Sequence, residues 1–251
     1  MKYLLLSLLL VKAFLFVYSP ISGQHESKAE SVNSFGESAY PDHTLWEFLL
    51  QRYVDDTGQV DYKGFLKDKQ VLQRYLGILE ENQPDRDWSN NEKLSYYINL
   101  YNAYTVLLIL DNYPIESIKK IRAPWDQKLI PLKGDLISLG DLEHQILRKM
   151  GEPRIHFAIN CASASCPKLW NKPYLPNTLD QQLNQAAHEF INSERNHISG
   201  GRLQLSKIFK WYKGDFLNGD IRTYINGFTT IPISQNAKVD YLEYDWSLNG
   251  M

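Results

Sequence analysis

Two cysteines in 251 residues are too few for the disulfide framework of a small secreted scaffold, and a chain of this length can build its core without one. They stand at Cys161 and Cys166, so any device they form is local. Charge imbalance is also missing: 27 Lys and Arg face 29 Asp and Glu, dispersed along the chain. With no basic tail or stripe, the electrostatic footprint of a nucleic-acid partner is absent. Past the N-terminal segment there is no run apolar enough to span a bilayer, no internal repeat and no low-complexity block. What remains is ordinary globular composition, 43% apolar and 22% charged.

The N-terminus reads as a signal peptide over residues 1–23. Lys2 supplies the positive start, Leu4 to Val11 and Ala13 to Val17 the apolar run, and Ser22-Gly23 the small residues for cleavage. Lys12 interrupts the run. A charge at the centre of a spanning helix costs about 2.5–3.5 kcal/mol, and neither flank reaches the roughly 20 residues a span needs. The expected localisation is therefore periplasmic or secreted, with no stable membrane span. Residues 24–40 are polar and rich in Ser, Glu and Gly, a flexible tether before a single domain over 41–251.

Within that domain, helical periodicity predicts a first helix from Asp42 or Thr44, with Leu45, Phe48, Leu49 and Tyr53 on one face. Leu72, Tyr75, Leu76 and Leu79 mark a second. Ser89 and Glu92 form a capping box for a third, whose side chains from Leu94 to Leu110 are apolar or aromatic on most faces. Such a helix belongs at the centre of a fold, with Leu100, Ala103, Leu107 and Leu108 buried. Lys128 to Ile137 reads as a hairpin, Arg154 to Ile159 as a buried strand, Thr178 to Ile191 as an amphipathic helix, and Leu203–Leu205 and Val239–Tyr244 as further strands. Helices and strands mix without βαβ alternation, so the expected class is α+β: helix-rich around a buried central helix, beside a small, mainly antiparallel sheet.

The chemistry-bearing residues gather around the segment 156–167. Cys161 opens a loop of small residues, Ala162 to Ser165, that closes at Cys166-Pro167. A thiol there becomes nucleophilic if a base or a set of N–H dipoles lowers its pKa. His156 and His144 are the candidate bases, Glu143 the candidate orienter, and Asn99 and Asn102 sit as amides inside the apolar helix, where they must find partners. Ser163, Ser165 and Cys166 could line a binding loop, and Trp211 and Tyr212 a platform or a piece of core. Three readings stay open: a catalytic thiol, a structural or redox disulfide, and a zinc site from His144, His156, Cys161 and Cys166. The zinc reading has no standard spacing behind it, and no cofactor is expected. His43, His188 and His197 stand in polar surroundings and are expected at the surface.

Several segments together resemble the uncharacterised family named domain of unknown function 547. They are Gln59-Val60-Asp61-Tyr62, Ile98 to Ala103, Asp141 to Arg148, His156-Phe157-Ala158 through Cys161 with Ser165-Cys166-Pro167, Phe209 to Tyr212 with Asp215-Phe216, and Tyr244 to Asn249. The resemblance implies one fold unit over roughly 42–249 and a set of site positions, with no established activity. Relatives carrying Ser where this chain has Cys166 would make Cys161 the essential thiol. The functional expectation is an exported thiol-dependent hydrolase or acyl/thiol transferase acting on a small molecule or peptide, with loop N–H groups after Cys161 holding the oxyanion. The alternative is a non-catalytic envelope binding module with a Cys161–Cys166 clip. If the leader is cleaved, N-terminal sequencing of the exported protein should begin near Gln24, in a fraction soluble without detergent; an intact Met1 in the membrane fraction contradicts the reading.

Overall fold

The computed structural model describes residues 40–250. The expected signal peptide, and the tether up to residue 39, lie outside the described residues. Tyr40 belongs to the fold: its hydroxyl meets Ser95 Oγ at 2.8 Å and its ring packs on Trp88.

The central helix runs from Asn90 to Asn112, opened by the Ser89–Glu92 capping box, and sixteen of its residues are buried. Helix Lys69–Glu81 packs along it, helix Thr44–Tyr53 packs on Lys69–Glu81, and helix Leu179–Ile191 also contacts the central helix. Two small sheets lie apart from this helical layer. In one, β1 (Ile130–Leu132) pairs antiparallel with β2 (Asp135–Ile137). In the other, β3 (His197–Ile198) pairs antiparallel with β4 (Arg202–Leu205), and β4 pairs parallel with β5 (Lys238–Tyr241). The fold is α+β, and among the described residues no helix is long and apolar enough to cross a membrane.

Chain segments far apart in sequence converge beside the central helix. Val60 bridges Gly250, and Ser163 bridges Leu248. Tyr62 donates its hydroxyl to Asn249 Oδ1 at 2.8 Å. The turn before Val60 needs its glycine: Gly58 has φ +85°, and a Cβ there would lie 2.3 Å from Lys168 Cβ. The loop that follows Cys166 is thereby pinned against the 55–60 turn.

The structure corrects four expectations. Residues Pro153–Phe157 form a 3-10 helix, not a strand. Glu152 caps it and Pro153 occupies its first turn, a start signal that outweighs the short apolar run, which fits either a strand or a buried helix. Leu107 is only half-buried, because the helix leaves a narrow strip at the edge of the core. Phe48 is exposed. His43 is buried: its Nδ1 meets Tyr75 Oη at 2.7 Å and its Nε2 meets Tyr40 Oη at 3.0 Å. Burial holds its pKa down to about 4, so the ring is neutral at neutral pH. The phenols that satisfy it are distant in sequence or nonpolar in pattern, which is why the polar local context misled.

Ile109 is fully buried whereas Leu107 is not. Ile109→Ala should lower unfolding free energy in denaturant titration by about 2–5 kcal/mol, and Leu107→Ala by clearly less. Equal losses would place both side chains in the same environment.

Candidate active site

The loop bearing the two cysteines is held to the central helix by amides. Asn102 donates from Nδ2 to the Ala158 carbonyl at 3.0 Å and accepts the Asn160 N–H at 2.8 Å. Asn160 in turn accepts the Ala162 N–H at 2.8 Å and donates to the Pro167 carbonyl at 2.6 Å. The first residue after the 3-10 helix and the far end of the cysteine loop are thus tied to one buried helix face. Asn99 makes the equivalent pair of bonds to Tyr174, donating to its carbonyl at 2.7 Å and accepting its N–H at 3.0 Å. Asn99 and Asn102 are scaffolding amides and do not line the cleft.

Between these ties the chain reverses sharply, with Ala162 at φ +59°. The reversal brings the two sulfurs 2.9 Å apart, unbonded. Cys166 Sγ also accepts the Cys161 N–H at 3.0 Å. Around Cys161 Sγ stand the Ser163 hydroxyl at 3.2 Å and the Tyr244 hydroxyl at 3.5 Å, while Ser163 donates to Tyr244 at 3.1 Å. The Cys166 thiol donating to Cys161 is the largest influence lowering the Cys161 pKa; burial opposes it, and Ser163 and Tyr244 add to the lowering. Burial and the neighbouring sulfur push Cys166 well up. The pair therefore shares one proton, which rests on Cys166 and leaves the charge on Cys161.

Both sulfurs line a cleft of about 370 Å³. Glu143, His144, His156, Trp211 and Tyr212 also line it, so most of the sequence-predicted site residues meet here. Glu143 and His144 arrive on a five-residue π-helical stretch, Leu142–Ile146, entered through a Ser138–Asp141 capping box. The wide π turn rotates consecutive side chains relative to an α-helix, a distortion common at functional sites. Glu143 is buried and accepts from the Tyr101 hydroxyl at 3.3 Å. His144 is exposed; its Nδ1 lies 3.4 Å from an Arg148 guanidinium nitrogen, which can only donate, so its proton sits on Nε2.

His156 is buried, stacked on Tyr212 with centroids 4.0 Å apart, and its Nε2 lies 2.8 Å from Asp215 Oδ2. Arg148 grips the same carboxylate through Nε at 2.6 Å and a second nitrogen at 2.9 Å. The guanidinium, followed by the His156 bond, holds the Asp215 pKa down to about 2. An ionised Asp215 accepts, so His156 carries its proton on Nε2 and Nδ1 is its free acceptor nitrogen. Burial lowers the His156 pKa despite the aspartate, and the ring is neutral at neutral pH.

Two expectations about mechanism do not survive. No hydrogen bond joins Cys161 to either histidine among the described residues; hydroxyls and the second thiol, not an imidazole, polarise the sulfur. Nor are the loop N–H groups other than that of Ser163 free for an oxyanion. Those of Ala164, Ser165 and Cys166 donate to the carbonyls of Ser247, Asp245 and Ser163, that of Ala162 to Asn160, and that of Cys161 to Cys166. Ser163 Oγ meets the sulfur, but Ser165 faces away, its Oγ accepting the backbone N–H of Asp245. Sequence reasoning left out Asp215, Arg148, Tyr244, Trp125 and Trp246 as site residues. Trp125, Trp211 and Trp246 wall the cleft, with Trp211 stacked on Trp246 at 5.7 Å. The signal for Asp215, Tyr244 and Trp246 was present in the segments Phe209 to Phe216 and Tyr244 to Asn249, and that for Arg148 in Asp141 to Arg148, whereas Trp125 lies in no such segment. Among the described residues no group of three or more His, Cys, Asp or Glu side chains is placed to hold a metal ion.

The family model described as "Protein of unknown function, DUF547" matches residues 86–191, a segment that carries the central helix, the π-helical stretch, His156 and the cysteine loop. No curated protein and no solved structure matches.

Alkylation of native protein by iodoacetamide, read by mass spectrometry across pH, should give Cys161 an apparent pKa below the ~8.5 of a free cysteine. Cys166→Ala should raise it more than Tyr244→Phe, because the thiol is the larger donor. An unshifted value in all three proteins contradicts the arrangement.

Proposed function

We propose that this chain, whose residues 86–191 carry the DUF547 segment, is an exported thiol-dependent hydrolase or acyl/thiol transferase. The observation that carries the reading is one cleft shared by a sulfur primed to be a thiolate and by a neutral histidine oriented by a fixed aspartate. The signal-like N-terminus, Lys2 to Gly23, supports export.

In this mechanism the Cys161 thiolate attacks the carbonyl carbon of a thioester or activated ester. The bond from carbon to the leaving group breaks, and an acyl–sulfur bond to Cys161 remains. A leaving thiolate departs with its electron pair and needs no proton from the protein. His156 Nδ1 then takes a proton from the water or acceptor nucleophile that discharges the acyl group, and the thiolate returns. Asp215, locked by Arg148, fixes the tautomer and stabilises the imidazolium as it forms. His156 is preferred over His144 as the base because only His156 has a carboxylate on its far nitrogen. With the loop N–H groups other than that of Ser163 committed, the Tyr244 hydroxyl beside Cys161 is a donor placed for a developing oxyanion. The rival reading, a non-catalytic binding module clipped by a disulfide, draws on the 2.9 Å approach of the sulfurs.

Incubation with p-nitrophenyl acetate should give a burst of nitrophenol and one acetyl group on Cys161, located by peptide mass spectrometry. Cys161→Ala should abolish the burst. His156→Ala should leave the burst but slow turnover by about 10²–10⁴-fold, so that acyl-enzyme accumulates. Native protein that neither acylates nor alkylates until reductant is added, with a mass two hydrogens below the reduced form, would establish the clip instead.

A further inference from the structure

We propose that Cys161 and Cys166 form a working dithiol that carries out thiol–disulfide exchange, with Cys161 attacking a substrate disulfide and Cys166 resolving the product. The proposal shares with the acyl-transfer reading the nucleophilic Cys161 and the Cys166 thiol that lowers its pKa, and it gives Cys166 a bond-forming role that acyl transfer does not use.

Three features of the geometry carry it. The first is asymmetry. Both cysteines line the cleft, but Cys161 is half-buried whereas Cys166 is 5% exposed and accepts the Cys161 N–H of the loop's own backbone. An incoming disulfide reaches Cys161 first. The second is proximity. Cys166 Sγ already stands 2.9 Å from Cys161 Sγ, so resolution needs no loop rearrangement to bring the second sulfur within range. The third is the construction of the loop. Four residues with small side chains separate the cysteines, and Ala162 holds a left-handed φ of 59°, a conformation that is unfavourable for an L-residue. The Asn102–Asn160 amide ladder clamps both ends of the loop and keeps that conformation in place.

The protonation pattern fits the same roles. The attacking thiol must be ionised, and donors around Cys161 favour its thiolate. The resolving thiol should stay protonated until the mixed disulfide has formed, as burial ensures for Cys166.

The exchange balances as follows. The Cys161 thiolate attacks one sulfur of R–S–S–R′, forming Cys161–S–S–R and expelling R′–S⁻, which takes a proton from solvent. Cys166 then attacks Cys161 Sγ; the Cys161–Cys166 bond forms, the bond to R breaks, and the Cys166 proton leaves with R–SH. The protein loses two electrons and the substrate disulfide gains them as two thiols. A dithiol reductant returns the pair to its starting state.

The probe is oxidised glutathione, added to the reduced full chain. Native protein should release two equivalents of glutathione and fall in mass by two hydrogens, with no lasting adduct. Cys166→Ser should stop at a stable glutathione adduct on Cys161, and Cys161→Ser should not react at the loop. Cys166→Ala serves as a second test of the trapped adduct, with near-UV circular dichroism confirming that either variant is folded. A lasting adduct on native Cys161, or glutathione on both cysteines independently, overturns the proposal. The p-nitrophenyl acetate burst, measured on the reduced native protein beside the adduct trapped in Cys166→Ser, separates the two chemistries. A retained burst with a trapped adduct supports both, an adduct without a burst removes acyl transfer alone, and a burst in native protein that never forms the internal disulfide removes the exchange alone.

Discussion

Everything chemical in this molecule hangs on a buried amide, Asn102, presented by the central helix to the backbone on either side of residue 159. A helix that is apolar on nearly every face has few ways to grip a neighbouring segment except by shape. Two amides one turn apart supply direction: Asn99 fixes the stretch at Tyr174, and Asn102 the root of the cysteine loop. Each makes a reciprocal pair of bonds with a peptide group. Breaking either would leave buried donors and acceptors unmet at about 1–3 kcal/mol apiece. The chain reversal at Ala162, and with it the meeting of the sulfurs, is held in place by this ladder.

A second clamp works from the other side. Arg148 and His156 converge on the Asp215 carboxylate from two different elements, and the Tyr212 ring stacks on the imidazole from the same segment that supplies Asp215. The histidine is thereby fixed in ring plane and tautomer before any ligand arrives. Glu143 sits behind it beneath the Tyr101 phenol. The cleft is preorganised by bonds among protein groups, and its polar groups are presented between indole walls, the usual composition of a small-molecule site.

Much of this was legible in the sequence where one residue type has one physical meaning. A Ser-x-x-Glu pair before an apolar run marks a helix start, and the central helix begins and ends where that pattern says. The amides inside that helix had to find partners, and they did. Legibility failed where the meaning depends on a distant partner. His43 reads as a surface residue among Asp42 and Thr44, yet Tyr75, 32 residues on, makes it a core residue. Arg154 to Ile159 has the composition of a strand, and only Glu152 and Pro153 reveal the tight helical turn. Cys161 and His156 were singled out by type, but their hydrogen-bond partners include Tyr244 and Asp215, residues 83 and 59 positions away.

Those separations have a consequence for the order in which the molecule comes together. Tyr244 and the strand-like stretch to Gly250 close over a loop that the ribosome made some eighty residues earlier, and they bridge back to Val60 as well. Contacts of such long sequence separation require loop closure before they are rewarded, and they form late. Until then Cys161 lacks its phenol donor and Ser163 its partner, and the sulfur has only the donors its own loop supplies. The chain thus leaves the last part of its nucleophile's surroundings to the end of folding, after the vulnerable interval in which an ionised, exposed sulfur would be open to crosslinking with other unfinished chains.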